Sequence, residues 1–408
     1  MIKGRDIVVL SIQPWDIKIG SNCKNIATEF SKHNRVLYVN PPLDRITRYK
    51  DKNSEQVQKR LRVIKGKENG LLELQDNLWN LYPKHLSESI NWLSPGMLFD
   101  KLNRRNCRLL ARDIREAIDA LGFKDFILFN DSSMFLGQYL ESDLKPVQYT
   151  YYMRDFLIKE PYWGRHGAKA EPQLMRAVDL ILNNSEYYTE YSAQFNPNSI
   201  MVGQGCDLEA FDDTNDQLEI PSDLAAIDGT IIGYVGSLTT LRLDLELLEF
   251  IARQRPDWQL VLVGPEDENF KNSVLHELSN VQFLGNKKPE QLASYIKGFD
   301  VTINPQVVND ITVGNYPRKI DEYLALGKPV VATYTKAMEM FNEHVYLGHN
   351  KEDYIVLIER ALQEHNQDRA MLRAGFAKGH TWQNNVAEIY QAINQSLKSK
   401  NYATSPSN

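Results

Sequence analysis

The chain has 408 residues, 42% hydrophobic and 25% charged, an ordinary globular make-up on a length that one hydrophobic core seldom serves. A formal net charge of −6 excludes a general nucleic-acid binder. Cys23, Cys107 and Cys206 lie too far apart for a disulfide framework or a zinc pattern, so a reducing, cytoplasmic compartment is expected. The opening MIKGRDIVVLSIQPW reads as a strand rather than a signal peptide. No stretch approaches the roughly 18 apolar residues of a spanning helix.

Short β-branched runs alternate with helical stretches, the signature of βαβ units and parallel sheets. DIVVLSI is a strand, residues 22–32 are helical, and RVLYVNPP is the next strand. DFILFN, VQYTYYM and LILNNS follow as strands. The pattern lapses at FDDTNDQLEIPSDLAAIDG, an acidic stretch without period, so residues 211–228 are expected to be an interdomain linker. A second series then runs through GTIIGYVGS, a helix at 243–254, WQLVLVGPE, VQFLG, VTINP and PVVAT. An amphipathic helix closes the chain at 383–400, before a frayed polar tail over residues 401–408. The expected layout is α/β, with open domains at 1–210 and 229–382 facing a cleft.

Ligands of such sheets bind beyond the carboxyl ends of the strands. In the second domain those positions carry Gly236-Ser237, Gly264-Pro265-Glu266, Gly285-Asn286-Lys287 and NDITVGNYPRKIDEY. In the last of these, Asn315 is a good N-cap and Pro317 suits a first helical turn. Arg318 and Lys319 then sit where the helix dipole disfavours cations. A diphosphate would resolve that conflict by accepting the free N–H groups and neutralising the cations. Glu322, on the same helix face as Lys319, would accept from a ribose diol one turn deeper. The bland alternative is an i, i+4 pair between Arg318 and Glu322 on a solvated helix.

PRKIDEYLALGKPVVAT resembles the donor-binding segment of two-domain glycosyltransferases of the GT-B fold, P-x-K-x-x-E-Y-x-A-x-G-K-P-V-V, in family 4 relatives and teichuronic-acid-type enzymes. LVLVGPEDENF, NVQFLGNKKPEQLASYIKGFDVTINP, HTWQNNVAEIY and, in the first half, SIQPWD, RVLYVNPP, AVDLILNNSEYY and MVGQGCDLEAF resemble further blocks in the same order. The resemblance implies two Rossmann-like domains, with the C-terminal helix returning towards the first. It implies that Lys319, helped by Arg318, contacts a donor diphosphate and that Glu322 holds the ribose. Asn315 and Tyr316 would bring backbone groups to phosphate and sugar, and the Gly285, Asn286, Lys287 loop would lie beside the nucleobase. Two positions depart from the family. Gly314 stands where relatives carry a glutamate for sugar hydroxyls, and Gly236-Ser237, with Arg242 five residues on, replaces Gly-Arg-x4-Lys.

On the acceptor side, Arg154 and Asp155 end a strand, and Asp155 is the candidate general base. His166 is the second choice. Asp16 and Ser21, in QPWDIKIGSN after the first strand, are further candidates; the alternatives are a surface role for Asp16 and an N-cap role for Ser21. His380 is expected to pack. Residues 45–67 hold nine Lys or Arg, and 93–115 form a second basic amphipathic stretch. Such surfaces favour anionic membranes, and the resemblance implies a glycan or polyprenyl-linked acceptor, so contact with the inner face of the plasma membrane is expected.

The sequence-level reading is a nucleotide-sugar-dependent glycosyltransferase of cell-surface polysaccharide biosynthesis, without metal or other cofactor. No D-x-D is present, so protein cations would have to stabilise the leaving group. A GT-B-type nucleotide-sugar epimerase and a non-catalytic nucleotide-sugar-binding subunit are the alternatives. A nicotinamide dehydrogenase is disfavoured, because no G-x-G-x-x-G follows a strand.

Overall fold

The computed structural model of the chain describes residues 1–17, 20–212 and 218–404, the side chains of 401–404 excepted. It divides into two compact units, residues 1–203 with 382–408, and residues 204–381.

The first unit is an eight-stranded sheet. Its strands are Asp6–Ser11 (β1), Arg35–Val39 (β2), Leu71–Gln75 (β3), Leu78–Leu81 (β4), Ile127–Asp131 (β5), Gln148–Met153 (β6), Leu180–Asn183 (β7) and Ser199–Met201 (β8). They lie in the order β8-β7-β6-β5-β1-β2-β4-β3, parallel except for the β3–β4 pair. Parallel strands are covered on both faces, which is why β1, β5 and β6 are buried along their whole lengths. One face is covered by Met97–Leu121 (α2), through Leu110, Ile114 and Ile118, and by Pro161–Ala177 (α3), through Leu174. The other face is covered by Asn22–Ser31 (α1) and by the C-terminal helix Trp382–Thr404, whose Ile389, Tyr390 and Ile393 pack with Phe30. The first three turns of that helix bury Val386, Ile389, Tyr390 and Ile393 at spacings of three and four, which ties the end of the chain to its beginning.

The second unit is a six-stranded, wholly parallel sheet of Thr230–Val235 (β9), Trp258–Val263 (β10), Val281–Gly285 (β11), Val301–Asn304 (β12), Val330–Thr333 (β13) and Tyr346–Gly348 (β14). The order is β11-β10-β9-β12-β13-β14. Its helices include Arg318–Ala325 (α4), Lys351–Glu364 (α5) and Gln367–Ala377 (α6). Each unit is thus an open α/β sheet of Rossmann type.

The boundary differs from the expected one. The second unit begins at Gln204, and the Cys206 N–H donates to the His380 carbonyl at 2.8 Å. Phe211 and Leu224 are buried in this unit's core. The acidic composition of 211–228 hid two apolar side chains that hold the stretch to the domain. Residues 213–217 of that stretch lie outside the described residues, as do residues 405–408 of the expected tail. The tail's first residues, 401–404, continue the C-terminal helix.

Candidate functional site

At the carboxyl edge of the second sheet, β9 ends at Val235 and the backbone turns through Gly236, at φ 144°. A Cβ there would lie 2.8 Å from Lys319 Nζ, and one on Gly264 would lie 1.8 Å from the Gly236 carbonyl oxygen. Only glycine lets these two loops touch backbone to backbone with an ammonium alongside. Helix α4 is fixed against the same strand end. The Tyr323 hydroxyl accepts from the Val235 N–H at 2.9 Å, and Ile320, Tyr323 and Leu324 are buried beneath it.

Pro317 occupies the N-cap position, and no side chain caps the helix. The N-cap thus lies two residues later than the one expected at Asn315, and the Asn315 N–H instead closes a turn onto the Thr312 carbonyl at 3.0 Å. Tyr316 turns inward: its hydroxyl donates to Asp321 at 2.7 Å, and His380 Nδ1 lies 2.7 Å from the other Asp321 oxygen. Burial pushes the Asp321 carboxyl up, against the pull of His380, Tyr316 and Arg318. His380 thus partners a buried carboxyl in addition to packing. This cluster fixes the underside of α4 and leaves the Tyr316 side chain unavailable to a ligand.

The upper face of α4 is different. Arg318 and Lys319 are half-buried, and neither has a carboxylate within ion-pair distance among the described residues. Lys319 donates to the Tyr234 hydroxyl, with its Nζ 4.1 Å from that ring's centroid. Glu322, also half-buried, accepts no hydrogen bond among the described residues. Burial raises its carboxyl, although Arg318 and Lys319 pull it down. The i, i+4 pair between Arg318 and Glu322 is not formed. Two cations without counter-ions, unused N–H groups at a helix start and a carboxylate without donors one turn away make an arrangement suited to a diphosphate followed by a diol.

The loop bearing Ser237 and Arg242 joins this edge. The Arg242 carbonyl accepts from Val307 at 2.9 Å and Asp244 N–H donates to Pro305 at 2.9 Å, pinning the loop after β9 to the loop after β12. Arg242 itself is exposed. After β11, Gly285 turns at φ 71° and Asn286 is exposed, but Lys287 is engaged by Asp223 at 2.8 Å. Among the described residues no group of three or more His, Cys, Asp or Glu could hold a metal ion.

The carboxyl edge of the first sheet is built the other way. Asp131, fully buried at the end of β5, holds Arg154 at 2.9 Å and accepts from Ser11 at 3.4 Å. Arg154 bonds Asp155 at 2.7 Å, and the Asp155 side chain is 36% exposed. The predicted base is thus on the edge, oriented by a guanidinium that a second, hidden carboxylate fixes. Sequence reasoning missed Asp131. Its signal was present in FND at a strand's last residue, the same position that singled out Arg154 and Asp155.

Asp16 is clamped by Arg60 at 2.8 Å; burial would raise its carboxyl, but Arg60 holds it below the usual range. Ser21 stands at the N-cap position of α1 but donates to Gln13 at 2.6 Å and makes no side-chain cap bond. His166 does not reach the edge. It falls on the buried face of α3 with Ala170 and Leu174, stacks on Phe99 at 3.6 Å, and is pushed down by burial. Helical periodicity, which the sequence reading did not extend through HGAKAEPQL, takes it out of contention as an acceptor-side base.

A cavity of about 720 Å³ opens from Ser11 on this edge, walled by Phe135, Trp92, Tyr162, Trp163 and Ile46. Trp92 and Tyr162 are each 65% exposed at its rim. Some cations of the two basic stretches are paired: Arg45 and Arg105 share Glu88, Arg62 bonds Glu68, and Arg104 bonds Asp143, while Arg48, Lys50, Lys52, Lys65 and Lys67 have no carboxylate within ion-pair distance among the described residues. No helix among the described residues is long and apolar enough to cross a membrane.

Solved structures of similar fold cover the whole chain. Trehalose 6-phosphate synthase from Burkholderia multivorans superposes with a TM-score of 0.68 at 10% identity, over 100% of both chains. Sucrose-phosphate synthase from Thermosynechococcus elongatus gives 0.65 at 15%, over 98% of this chain and 100% of that one. HepE of Anabaena, solved in complex with UDP, gives 0.61 at 14%, over 97% and 100%. Residues 229–364 match the family described as Glycosyl transferases group 1. The chain has the GT-B fold of these structures, two Rossmann-like α/β domains. Bacillus subtilis (strain 168) TuaH, whose name places it in teichuronic acid biosynthesis, is 28% identical over 224 residues. That match takes in 52% of this chain and spans 56% of TuaH, a little over half its length.

Proposed function

We propose that this protein transfers a sugar from a nucleoside-diphosphate sugar to a glycan or lipid-linked acceptor in cell-surface polysaccharide synthesis. The observation that carries the reading is the upper face of α4, where, among the described residues, half-buried Arg318 and Lys319 beside Gly236 have no carboxylate within ion-pair distance and Glu322 has no hydrogen-bond donor. The donor diphosphate accepts from the helix N-terminus and both cations, and Glu322 accepts from the ribose diol. The bond from the anomeric carbon to the phosphate oxygen breaks with its electron pair on the diphosphate. Lys319 and Arg318 stabilise the charge that develops there, so the reaction proceeds without a metal.

The acceptor oxygen forms the new bond and its proton passes to Asp155, which Arg154 orients. The aromatic-walled cavity beginning at Ser11 takes the acceptor, stacking a sugar ring or an isoprenoid chain against Trp92 and Tyr162. TuaH and the UDP complex of HepE support the substrate class. UDP release is to be followed with UDP-, GDP- and dTDP-sugars and both soluble and polyprenyl-linked acceptors, with and without EDTA. Sugar-specific, EDTA-insensitive release lost in Lys319→Ala supports the reading. Binding of no nucleotide sugar at all would sink it. Flotation on vesicles with and without anionic lipid tests the expected peripheral contact with the membrane.

A further inference from the structure

The second unit carries a second cationic pocket on its other sheet edge. Residues 342–346 lead into β14, and Gly327 precedes β13, so both lie at the amino ends of these parallel strands. Helix α5 ends there at Glu364 and α6 begins beside it. Between them is a cavity of about 700 Å³ walled by His344, Tyr346, Arg360, Arg369 and Arg373. Helix α4 starts at the opposite edge of the sheet.

The charges of this pocket do not balance. Glu364 bonds Arg360 at 2.7 Å and Arg369 at 2.8 Å, and accepts from Tyr346 at 2.8 Å, so both its oxygens are occupied. Glu343, the acid that lines the cavity itself, is exposed. Arg373 has no carboxylate within ion-pair distance among the described residues, although it is 3% exposed. Its Nη1 donates to the Gly327 carbonyl at 3.3 Å and lies 3.2 Å from His365 Nδ1, and Tyr346 and Glu364 also support its charge, so its five-donor fork is only partly engaged. A buried guanidinium without a counter-ion is costly, and a bound anion removes that cost. Burial and then Arg373 push His365 down; burial, with a smaller share from Arg373, does the same to His344. Neither imidazole therefore needs an acid in the pocket.

We infer that the Arg360–Arg369–Arg373 pocket is a binding site for a phosphate group, separate from the donor edge. Guanidinium forks match the oxygens of a phosphate bidentately, and the cavity is larger than a bare ion requires. The phosphate is either free or carried by a small phosphorylated molecule.

Isothermal titration of the Lys319→Ala full chain, with the donor edge disabled, tests this using inorganic phosphate, pyrophosphate and glucose 1-phosphate at fixed ionic strength. Saturable binding is expected for at least one probe, weakened at least tenfold when Arg360→Ala and Arg369→Ala are combined. Preference for inorganic phosphate assigns the free ion; preference for either larger probe assigns a phosphorylated molecule. Arg373→Lys keeps the buried charge but loses the fork, and is expected to weaken the same probe while remaining folded by circular dichroism. No saturable binding below about 10 mM, or unchanged affinity in the double variant, overturns the inference. Neither result bears on nucleotide binding at Lys319.

Discussion

The two sheet edges use the same kinds of residue to opposite ends. In the first unit the charges satisfy one another: Asp131 holds Arg154, Arg154 holds Asp155, and Arg60 holds Asp16. In the second, Arg318, Lys319 and Glu322 make no ion pair and no side-chain hydrogen bond among the described residues, apart from the Lys319–Tyr234 contact, and feel one another only at longer range. A closed network orients a group and stabilises the fold. An open one is held in place by packing, here by Tyr323 and the Asp321–His380 pair, and leaves its charge for a ligand. The difference teaches that partner lists, more than residue types, separate scaffold from binding surface.

The largest effect should come from opening the closed edge. Arg154→Ala leaves Asp131 charged and buried, and should cost about 3–5 kcal/mol of stability in chemical denaturation. A loss below about 1 kcal/mol would mean the network is not structural. The open edge should respond in the other currency. Lys319→Ala is expected to lower kcat/KM for the donor by roughly 10²–10³-fold, with stability changed by less than about 1 kcal/mol.

Two raised carboxyls sharpen the contrast. Glu171 is buried in the first unit, accepts from Tyr151 at 2.6 Å, and is pushed by burial up to about 7. Because its folded pKa exceeds the unfolded one, its stabilisation is complete below about 4.5 and disappears as pH rises to about 7. Glu171→Gln should therefore gain on the parent between pH 5 and pH 8, by up to roughly 3 kcal/mol, in paired denaturation series. A pH-independent difference would contradict the assignment. Glu322, raised in the same direction, should affect binding rather than folding. Glu322→Gln is expected to weaken nucleoside diphosphate about tenfold, the scale of one charge-assisted hydrogen bond. It should also remove the loss of affinity seen as pH falls into the raised carboxylate range.

Much of this was readable from the sequence. Apolar β-branched runs located β1, β2, β5, β6, β7 and the strands β9 to β13 to within three residues at either end, because strands buried on both faces leave an uninterrupted signal. The hairpin β3–β4 and the strands β8 and β14 escaped, being only three to five residues long. At the site, PRKIDEY carried both the cations and the acid. What composition could not show was pairing over long sequence separations. Asp131 with Arg154, Lys287 with Asp223 and Tyr234 with Lys319 are joined only by topology. The start of α4 was misread locally: Asn315 looks like a cap, but it belongs to the turn before the helix, and the N-cap position falls on Pro317.

The account rests on the open edge of α4, and one titration addresses it most directly. Calorimetric binding of UDP, GDP and dTDP to the parent chain, Lys319→Ala and Asp155→Asn should show one preferred nucleotide. Its affinity should fall at least tenfold in Lys319→Ala and stay unchanged in Asp155→Asn. Equal affinity in the parent and Lys319→Ala, or no binding of any of the three nucleotides, would contradict it.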